Sequence, residues 1–346
     1  MAKISSTLPD YGFPGEFDTI RFQEVAAPLV FRVACEDAAI DLLLSPDEKQ
    51  WVTVEDFAPV LRDFTADGMP RVCTLTWDGG TQAFTVLPCR CDVEDPAADF
   101  CALHFLTPQG RTKRTYRGAL ELLTLFSPDG EERPAFSVSL CWWNEGDGSF
   151  KNTTMKEEEV GSASEIAQGL WQIDVSPQRF AIPKEGYALH SYAVSAGRRE
   201  KKYVLSPSLD AVPLTLVFKN AFGLWDTFNL FGNVQKELKP TRSSATFSGK
   251  FRNYLVKAVP EFTAQTGILR KEDEALFADL CSATEVRLRS IDGQEVVIVD
   301  NDLKILNDAY EPQQGSITFR YAGRGAVLHR TAPFRTFDDT FDATYL

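Results

Sequence analysis

Histidine and methionine are scarce in this sequence, with three residues of each among 346. Histidine titrates near neutral pH and is the commonest metal ligand, so neither a histidine-based hydrolase triad nor a multi-histidine metal site is expected. The sequence also has no Gly-x-Ser-x-Gly elbow, no Walker A loop and no Gly-x-Gly-x-x-Gly element. We therefore expect no catalytic, cofactor-binding or metal-binding residues, no cofactor, and a protein that is not an enzyme.

Signals for export and membrane insertion are missing as well. The first six residues lack the apolar core of a signal peptide, and no window approaches 18 uninterrupted apolar residues. The seven cysteines are odd in number and irregularly spaced, which favours reduced, buried thiols in a protein made in a cytosol. No membrane partner is expected.

One group of residues has the side-chain types of a zinc site. Cys89 and Cys91 are followed by Cys101 and His104, and thiolates and imidazoles are the ligands that zinc prefers. A single residue separates the first two cysteines, whereas common sites place two to four residues there. We therefore favour a strand with Cys89 and Cys91 on one face, Cys101 and His104 in the core or at an edge, and no metal.

Acidic side chains outnumber basic ones by 49 to 36, and the formal net charge is −13. A field of this sign repels phosphate backbones and anionic membrane surfaces, so no nucleic-acid partner is expected. In an assembling protein the same charge would keep newly made subunits soluble and apart until specific contacts form.

What the sequence has in abundance is phenylalanine, 25 residues, and short runs with the alternation of β-strands. Asp78-Gly79-Gly80 and Asp292-Gly293 each separate two such runs, and these residues tolerate the positive φ of hairpin turns. Helical patterns are few and cover residues 271–281 and 54–64, the second with Thr53 and Asp56 as a capping pair and Pro59 keeping it short. The sequence predicts a mainly β protein of two or three β-sandwich-like domains with one or two short helices.

Two polar stretches, residues 107–114 and 206–213, interrupt the strand-like runs and predict linkers. The basic run 111–117 at the first of them is expected to be solvated. The predicted domains are residues 1–110, an N-terminal β domain; 111–210, a β-sandwich; and 211–346, a β-rich domain with a helix near 271–282.

Paired tryptophans give the first candidate contact surface. Trp142 and Trp143 lie together at the end of a predicted strand. Because side chains alternate across a strand, one of them can enter the core while the other faces outward. The outward one would stack on a sugar or anchor a subunit interface; the alternative places one tryptophan in each of two adjoining cores.

Two further candidate surfaces are rich in aromatic residues. Phe222, Gly223 and Trp225 indicate a bend, since glycine permits a conformation or close approach that larger residues resist, and Phe228 would help to pin two sheets or two subunits together. Near the C-terminus Phe337, Phe341 and Tyr345 alternate with polar residues. That segment either adds a strand to a neighbouring subunit or forms the last strand of its own domain.

The sequence contains FCALHFLT at 100–107 with Thr112-Lys113, FKNAFGLWDTF at 218–228, ALFADLCS at 275–282 leading into Val286, FRYA at 319–322 and FDDTFDATYL at 337–346. Together these segments resemble a family of tail-region structural proteins of phages and prophages of Bacteroidetes. None of them is a catalytic signature, and the resemblance carries no active-site residues with it.

The resemblance implies a structural subunit of a phage tail, in the baseplate or tail-tip region, that assembles as a symmetric oligomer. Its partners would be copies of itself and other tail proteins, and its place the virion tail after synthesis in the host cytoplasm. The alternative function is glycan binding, in which an exposed tryptophan on a β-sandwich recognises a host surface glycan.

Overall fold

The chain is mainly β, as the sequence predicts. The structure, a computed structural model, describes residues 2–6, 8–36, 38–128, 135–156, 159, 161, 163–180, 186–206, 213–303 and 313–323. Its strands pair within three successive parts of the chain, here called the first, second and third groups of strands. No helix in these residues is both long and apolar enough to cross a membrane.

The first group contains two sheets, with the strand orders β1-β3-β6 and β2-β8-β7-β4-β5. Its strands are β1 (Lys3–Ile4), β2 (Tyr11–Gly12), β3 (Ile20–Gln23), β4 (Leu29–Cys35), β5 (Ala38–Leu44), β6 (Val52–Val54), β7 (Arg71–Trp77) and β8 (Gly80–Val86). Alternate side chains of β4 are buried, the pattern of a strand with one face on a core. Phe17, Phe22 and Phe31 lie fully buried in that core.

The second group also has two sheets, ordered β12-β11-β15-β16-β9 and β10-β14-β13. Its strands are β9 (Thr112–Thr115), β10 (Leu122–Phe126), β11 (Phe136–Asn144), β12 (Phe150–Lys156), β13 (Ser164–Ala167), β14 (Leu170–Asp174), β15 (Tyr187–Ala196) and β16 (Arg199–Leu205). Tyr192 and Tyr203 stack in its core, with ring centroids 4.7 Å apart.

The third group is one sheet in the order β18-β17-β21-β22-β23-β20-β19. Its strands are β17 (Leu214–Lys219), β18 (Trp225–Leu230), β19 (Val234–Phe247), β20 (Lys250–Leu269), β21 (Val286–Leu288), β22 (Glu295–Leu303) and β23 (Gln313–Tyr321). Helix α3 (Lys271–Ser282) buries Leu276, Phe277 and Leu280 in the core of this group.

A fourth apolar cluster lies where the three groups meet. It combines Phe13 and Cys101 with Phe126 of the second group and Phe222 of the third. Because residues from all three groups are buried together, the groups pack against one another and are not separated by extended linkers.

Local sequence patterns predicted much of this fold. Both glycine-containing turns are hairpins, joining β7 to β8 and β21 to β22, and α3 covers the predicted helix. The prediction for residues 54–64 was wrong in its first half. β6 runs to Val54, Asp56 has φ +58° outside the helix, and α1 (Ala58–Phe64) starts after Phe57 with Pro59 in its first turn.

Two other local predictions were wrong. Cys89 and Cys91 lie in a loop after β8 rather than on a strand. Cys101 is buried in the core, as predicted, and belongs to helix α2 (Ala97–Leu103). The predicted solvated linker at 107–114 contains part of β9, which pairs in parallel with β16. Lys113 on β9 is 3% exposed, because an acidic partner from elsewhere in the fold is buried beside it.

Candidate functional site

The longest strands of the described chain extend beyond the sheet that contains them. β19 and β20 pair from Val234 with Ala264 to Phe247 with Lys250. Among the described residues, β20 pairs with β23 between Phe262 and Leu269. Residues 238–260, here called the ribbon, therefore form a two-stranded hairpin that projects beyond the other strands of the sheet. Its length is ten residues of β19, 238–247, or about 30 Å.

The ribbon carries large apolar side chains in solvent. Leu238 is 61% exposed and Phe251 is 77% exposed. A two-stranded hairpin is at best marginally stable by itself, and its strand edges are available for pairing with another chain. Exposed apolar side chains on such an element are typical of a surface that another molecule covers.

The ribbon also differs in charge from the rest of the chain. Its sequence has no acidic residue and five basic ones: Lys239, Arg242, Lys250, Arg252 and Lys257. Since the whole chain has a formal charge of −13, the remaining residues carry −18. A basic ribbon and an acidic remainder are complementary, so the ribbon of one copy can attract the acidic surface of another once the two are close, although whole copies repel one another.

A second exposed surface lies on the outer face of the five-stranded sheet in the second group. Trp143 of β11 is 36% exposed and Phe150 of β12 is 56% exposed, with their ring centroids 5.0 Å apart. His190 of β15 lies 5.2 Å from the Phe150 ring. These three residues, here called the aromatic platform, come together because a bulge leaves His190 between the pairs Cys141–Ser191 and Trp142–Leu189.

Trp142 points the other way from Trp143. It is 3% exposed, and its indole Nε1 donates a hydrogen bond to Thr153 Oγ1 at 2.9 Å. The structure thus gives the two tryptophans one inward and one outward position. Only the outward Trp143 offers surface to another molecule in this arrangement.

The bend predicted at Gly223 is a close contact between the first and third groups. Gly223 has φ +70°, and a Cβ atom there would lie 2.4 Å from Gly68 Cα. The Asn220 side chain holds the turn, because its Oδ1 accepts hydrogen bonds from the backbone N–H groups of Phe222 and Leu224. Phe222 is buried against the rings of Phe13 and Phe100, 5.7 and 5.5 Å away.

The other predicted interface residues also have contacts inside the chain. Phe228 is buried against Phe277, and Trp225 lies under the Arg287 guanidinium at 5.0 Å. The predicted C-terminal contact residues Phe337, Phe341 and Tyr345 lie outside the described residues. A contact between subunits at any of these positions stays a prediction.

A buried network of charged and polar groups joins the second and third groups. Lys113 Nζ lies 2.7 Å from Glu121 Oε2, and both side chains are almost fully buried. The Glu121 carboxylate also accepts hydrogen bonds from the hydroxyls of Thr115 and Thr227 and from the Asn229 amide. Because the carboxylate has this many donors, the pair is held in one geometry rather than left as uncompensated charge.

Lys201 is the second buried cation at this junction. Its Nζ donates to the carbonyl oxygens of Gln109 and Gly110, and the Gln109 amide in turn donates to Asp273 of α3 at 2.8 Å. Burial lowers the pKa of Lys201 to about 7, although the nearby carboxylates of Asp226 and Glu121 act in the opposite direction.

A cavity of about 410 Å³ opens beside Lys201, and Cys91 and His104 lie at its wall. His104 packs on Phe100, with ring centroids 5.1 Å apart. Cys89 and Cys91 have their Sγ atoms 3.6 Å apart. Within the described ranges, no three His, Cys, Asp or Glu side chains are grouped so that they could hold a metal ion.

Comparisons with known proteins give weak structural similarities. No family model matches the chain, and no curated protein matches it. One similar structure is a chain from the tail of an empty GTA particle with C6 symmetry, with 12% identity and a TM-score of 0.23 over 35% of this chain and 97% of that one. Another is the FN1–FN3 domains of chicken CNTN1, with 8% identity and a TM-score of 0.16 over 84% of this chain and 92% of that one. TM-scores this low do not establish a shared fold.

Proposed function

We propose that this chain is a non-catalytic structural subunit of a phage tail, in the baseplate or tail-tip region, that assembles as a symmetric oligomer with other tail proteins. The ribbon carries this proposal, because it is long, basic and exposes Leu238 and Phe251 on an otherwise acidic chain. The sequence resemblance to tail-region proteins supports the same function. Its partners are then copies of itself and other tail proteins, and its place is the virion.

The ribbon is suited to joining the copies of a closed symmetric ring. A ribbon that docks on a different surface of the next copy makes a head-to-tail contact, and such contacts close into a ring when the rotation between copies divides a full turn. A reach of about 30 Å is enough to cross much of a neighbouring β domain, whose radius of gyration is about 13 Å for 100 residues.

The first experiment removes the ribbon and leaves the sheet intact. Replacing residues 238–260 with Asn-Gly joins the paired residues Glu237 and Glu261 through a two-residue hairpin turn. We expect the full chain to form concentration-dependent oligomers in sedimentation velocity. The shortened chain should stay monomeric with an unchanged melting temperature.

The second experiment tests the tail assignment directly. Phage particles produced from the genome that encodes this chain are purified and analysed by mass spectrometry and electron microscopy. The chain is expected in the particles, at the tail end. Its absence from purified particles, together with a full chain that stays monomeric at high concentration, would contradict the proposal.

The aromatic platform favours a second candidate function, the binding of a host surface glycan. Flat aromatic faces exposed on a sheet are suited to stacking against the apolar face of a sugar ring. On a glycan array, Trp143→Ala should abolish binding. Trp51→Ala is the matched control, because Trp51 is similarly exposed, at 39%, but lies in the first group. Binding that both variants retain, or no binding by the full chain, would remove this candidate.

A further inference from the structure

Two cysteine thiols lie against each other in the loop that follows β8. The Sγ atoms of Cys89 and Cys91 are 3.6 Å apart, and the Cys89 thiol lies 3.1 Å from the carbonyl oxygen of Cys91. Cys89 is buried, whereas Cys91 is exposed. Cys91 also lies at the wall of the 410 Å³ cavity, which has room for a small molecule beside it.

The residue between the two cysteines fixes their backbone to the third group. The Arg90 N–H donates to the carbonyl oxygen of Ala221 at 2.8 Å. Its guanidinium donates to the carbonyl oxygens of Asn220 at 2.8 Å and Lys219 at 3.1 Å. Because both the backbone and the side chain of Arg90 are held, the two sulfurs are kept close without a covalent bond.

We propose that Cys89 and Cys91 form a reversible thiol–disulfide exchange site for low-molecular-weight disulfides such as glutathione disulfide. In the first step Cys91 Sγ attacks one sulfur of the small disulfide, whose S–S bond breaks and releases one thiolate. In the second step Cys89 Sγ attacks Cys91 Sγ, releases the second thiolate and gives its proton to solvent. Two electrons pass from the protein to the oxidant, and the sulfurs close from 3.6 Å to a bond of about 2.05 Å.

The surroundings of the two thiols give them different roles. The hydrogen bond with Cys89 lowers the pKa of Cys91 to about 7, against the opposing effects of burial and of the carboxylates of Asp279 on α3 and Asp92 in the loop. The same hydrogen bond and burial raise the pKa of Cys89, while Arg62 on α1 acts the other way. Since the thiolate is the nucleophile, Cys91 attacks first and Cys89 resolves the mixed disulfide.

A second pair of cysteines in the chain provides an internal control. Cys35 on β4 and Cys73 on β7 are cross-strand partners, and both are buried. Burial raises the pKa of each of these thiols. If closeness of two thiols were enough, Cys35 and Cys73 would also be oxidised by glutathione disulfide. If an exposed thiolate is required, this pair stays reduced at neutral pH.

The experiment treats the reduced full chain with glutathione disulfide at pH 7.5, labels the remaining thiols and digests the protein before aspartate residues. Cleavage before Asp78 and Asp92 releases residues 78–91, which contain Cys89 and Cys91 and no other cysteine. We expect this peptide to be two hydrogens lighter and free of label, while Cys35 and Cys73 take up label only after denaturation.

Two variants separate the roles of the sulfurs. Cys89→Ser is expected to keep a glutathionyl group on Cys91, because the resolving thiol is gone. Cys91→Ser is expected to leave Cys89 unreacted, because Cys89 is buried. Two labels on the wild-type peptide after oxidation, or glutathionylation of Cys89 in Cys91→Ser, would overturn the proposal. Melting temperatures of both variants check that they fold, and neither outcome depends on the tail function proposed above.

Discussion

At the scale of single residues, the two buried lysines between the second and third groups have different environments. Lys113 has the Glu121 carboxylate 2.7 Å away. Lys201 donates to two backbone carbonyl oxygens, and dipoles compensate a buried positive charge less fully than a carboxylate does. The free energy of folding should therefore depend on pH through Lys201.

The first prediction concerns the sign of that dependence. The pKa of Lys201 is about 7 in the fold and about 10.4 in an unfolded chain. Between these values the unfolded state binds more protons, so the free energy of unfolding rises with pH. In urea unfolding from pH 6.5 to 8.5, the wild type should gain about 1–2 kcal/mol relative to Lys201→Met.

The neighbouring lysine is the control for this measurement. Lys202 is exposed on the same strand, so Lys202→Met should keep the pH slope of the wild type. The slope, rather than the absolute stability, is the readout, because Lys201→Met also removes hydrogen bonds to Gln109 and Gly110. Equal slopes for the wild type and Lys201→Met would contradict the prediction.

At the scale of elements, the turn between β17 and β18 holds the third group against the first. Gly223 and Gly68 both have positive φ, and a Cβ on either would lie within 2.5 Å of the other's backbone. Gly223→Ala should therefore lower the free energy of unfolding by about 3 kcal/mol, about 1 from the positive φ and about 2 from the steric clash. Chemical unfolding measures the total.

The matched control isolates the clash from the backbone strain. Gly186 has φ +75°, close to the +70° of Gly223, and a Cβ there would meet no atom within 4 Å. Gly186→Ala should cost only about 1 kcal/mol. Equal destabilisation of the two alanine variants would mean that a Cβ at Gly223 does not clash with Gly68, and would contradict the prediction.

Local sequence patterns predicted individual strands and helices. Most of the features that they did not predict depend on contacts between residues far apart in the sequence. The turn residues Asp78-Gly79-Gly80 predicted the hairpin of β7 and β8, because this signal lies within a few consecutive residues. Helix α2 escaped prediction because it has seven residues, of which only Ala97 and Cys101 are buried, too few for a helical period. The burial of Lys113 depends on Glu121, which only the folded chain brings beside it.

The candidate surfaces also divide into a part that local sequence patterns predicted and a part that depends on long-range strand pairing. Alternation along β11 predicted that the two adjacent tryptophans point to opposite faces but left open whether the second enters a core, and Trp143 faces outward. Its neighbours Phe150 and His190 come from two other strands, so only the pairing register and the bulge in it assemble the aromatic platform. The ribbon was not predicted, because its projection depends on where the pairing of β20 with β23 begins, at Phe262.

At the scale of the whole molecule, the separation of charge has a measurable consequence for assembly. The ribbon carries five positive charges, and the rest of the chain has a formal charge of −18. The length over which salt screens charges falls from about 10 Å at 0.1 M to about 3 Å at 1 M. Contacts between the ribbon and an acidic neighbour should therefore weaken with salt, whereas the apolar contacts of Phe251 should not.

Sedimentation equilibrium at 0.1 M and 1 M sodium chloride separates the contribution of charge from that of apolar contacts. The dissociation constant of the wild-type oligomer should rise at least about tenfold with salt, equivalent to about 1.4 kcal/mol. Lys250→Glu should weaken association at low salt and flatten the salt dependence, while Phe251→Ser should weaken it by a similar factor at both concentrations. Lys49→Glu, an equal change of charge on an exposed residue outside the ribbon, should behave like the wild type. Association that is indifferent to salt and to Lys250→Glu would mean that the charge of the ribbon does not hold copies together.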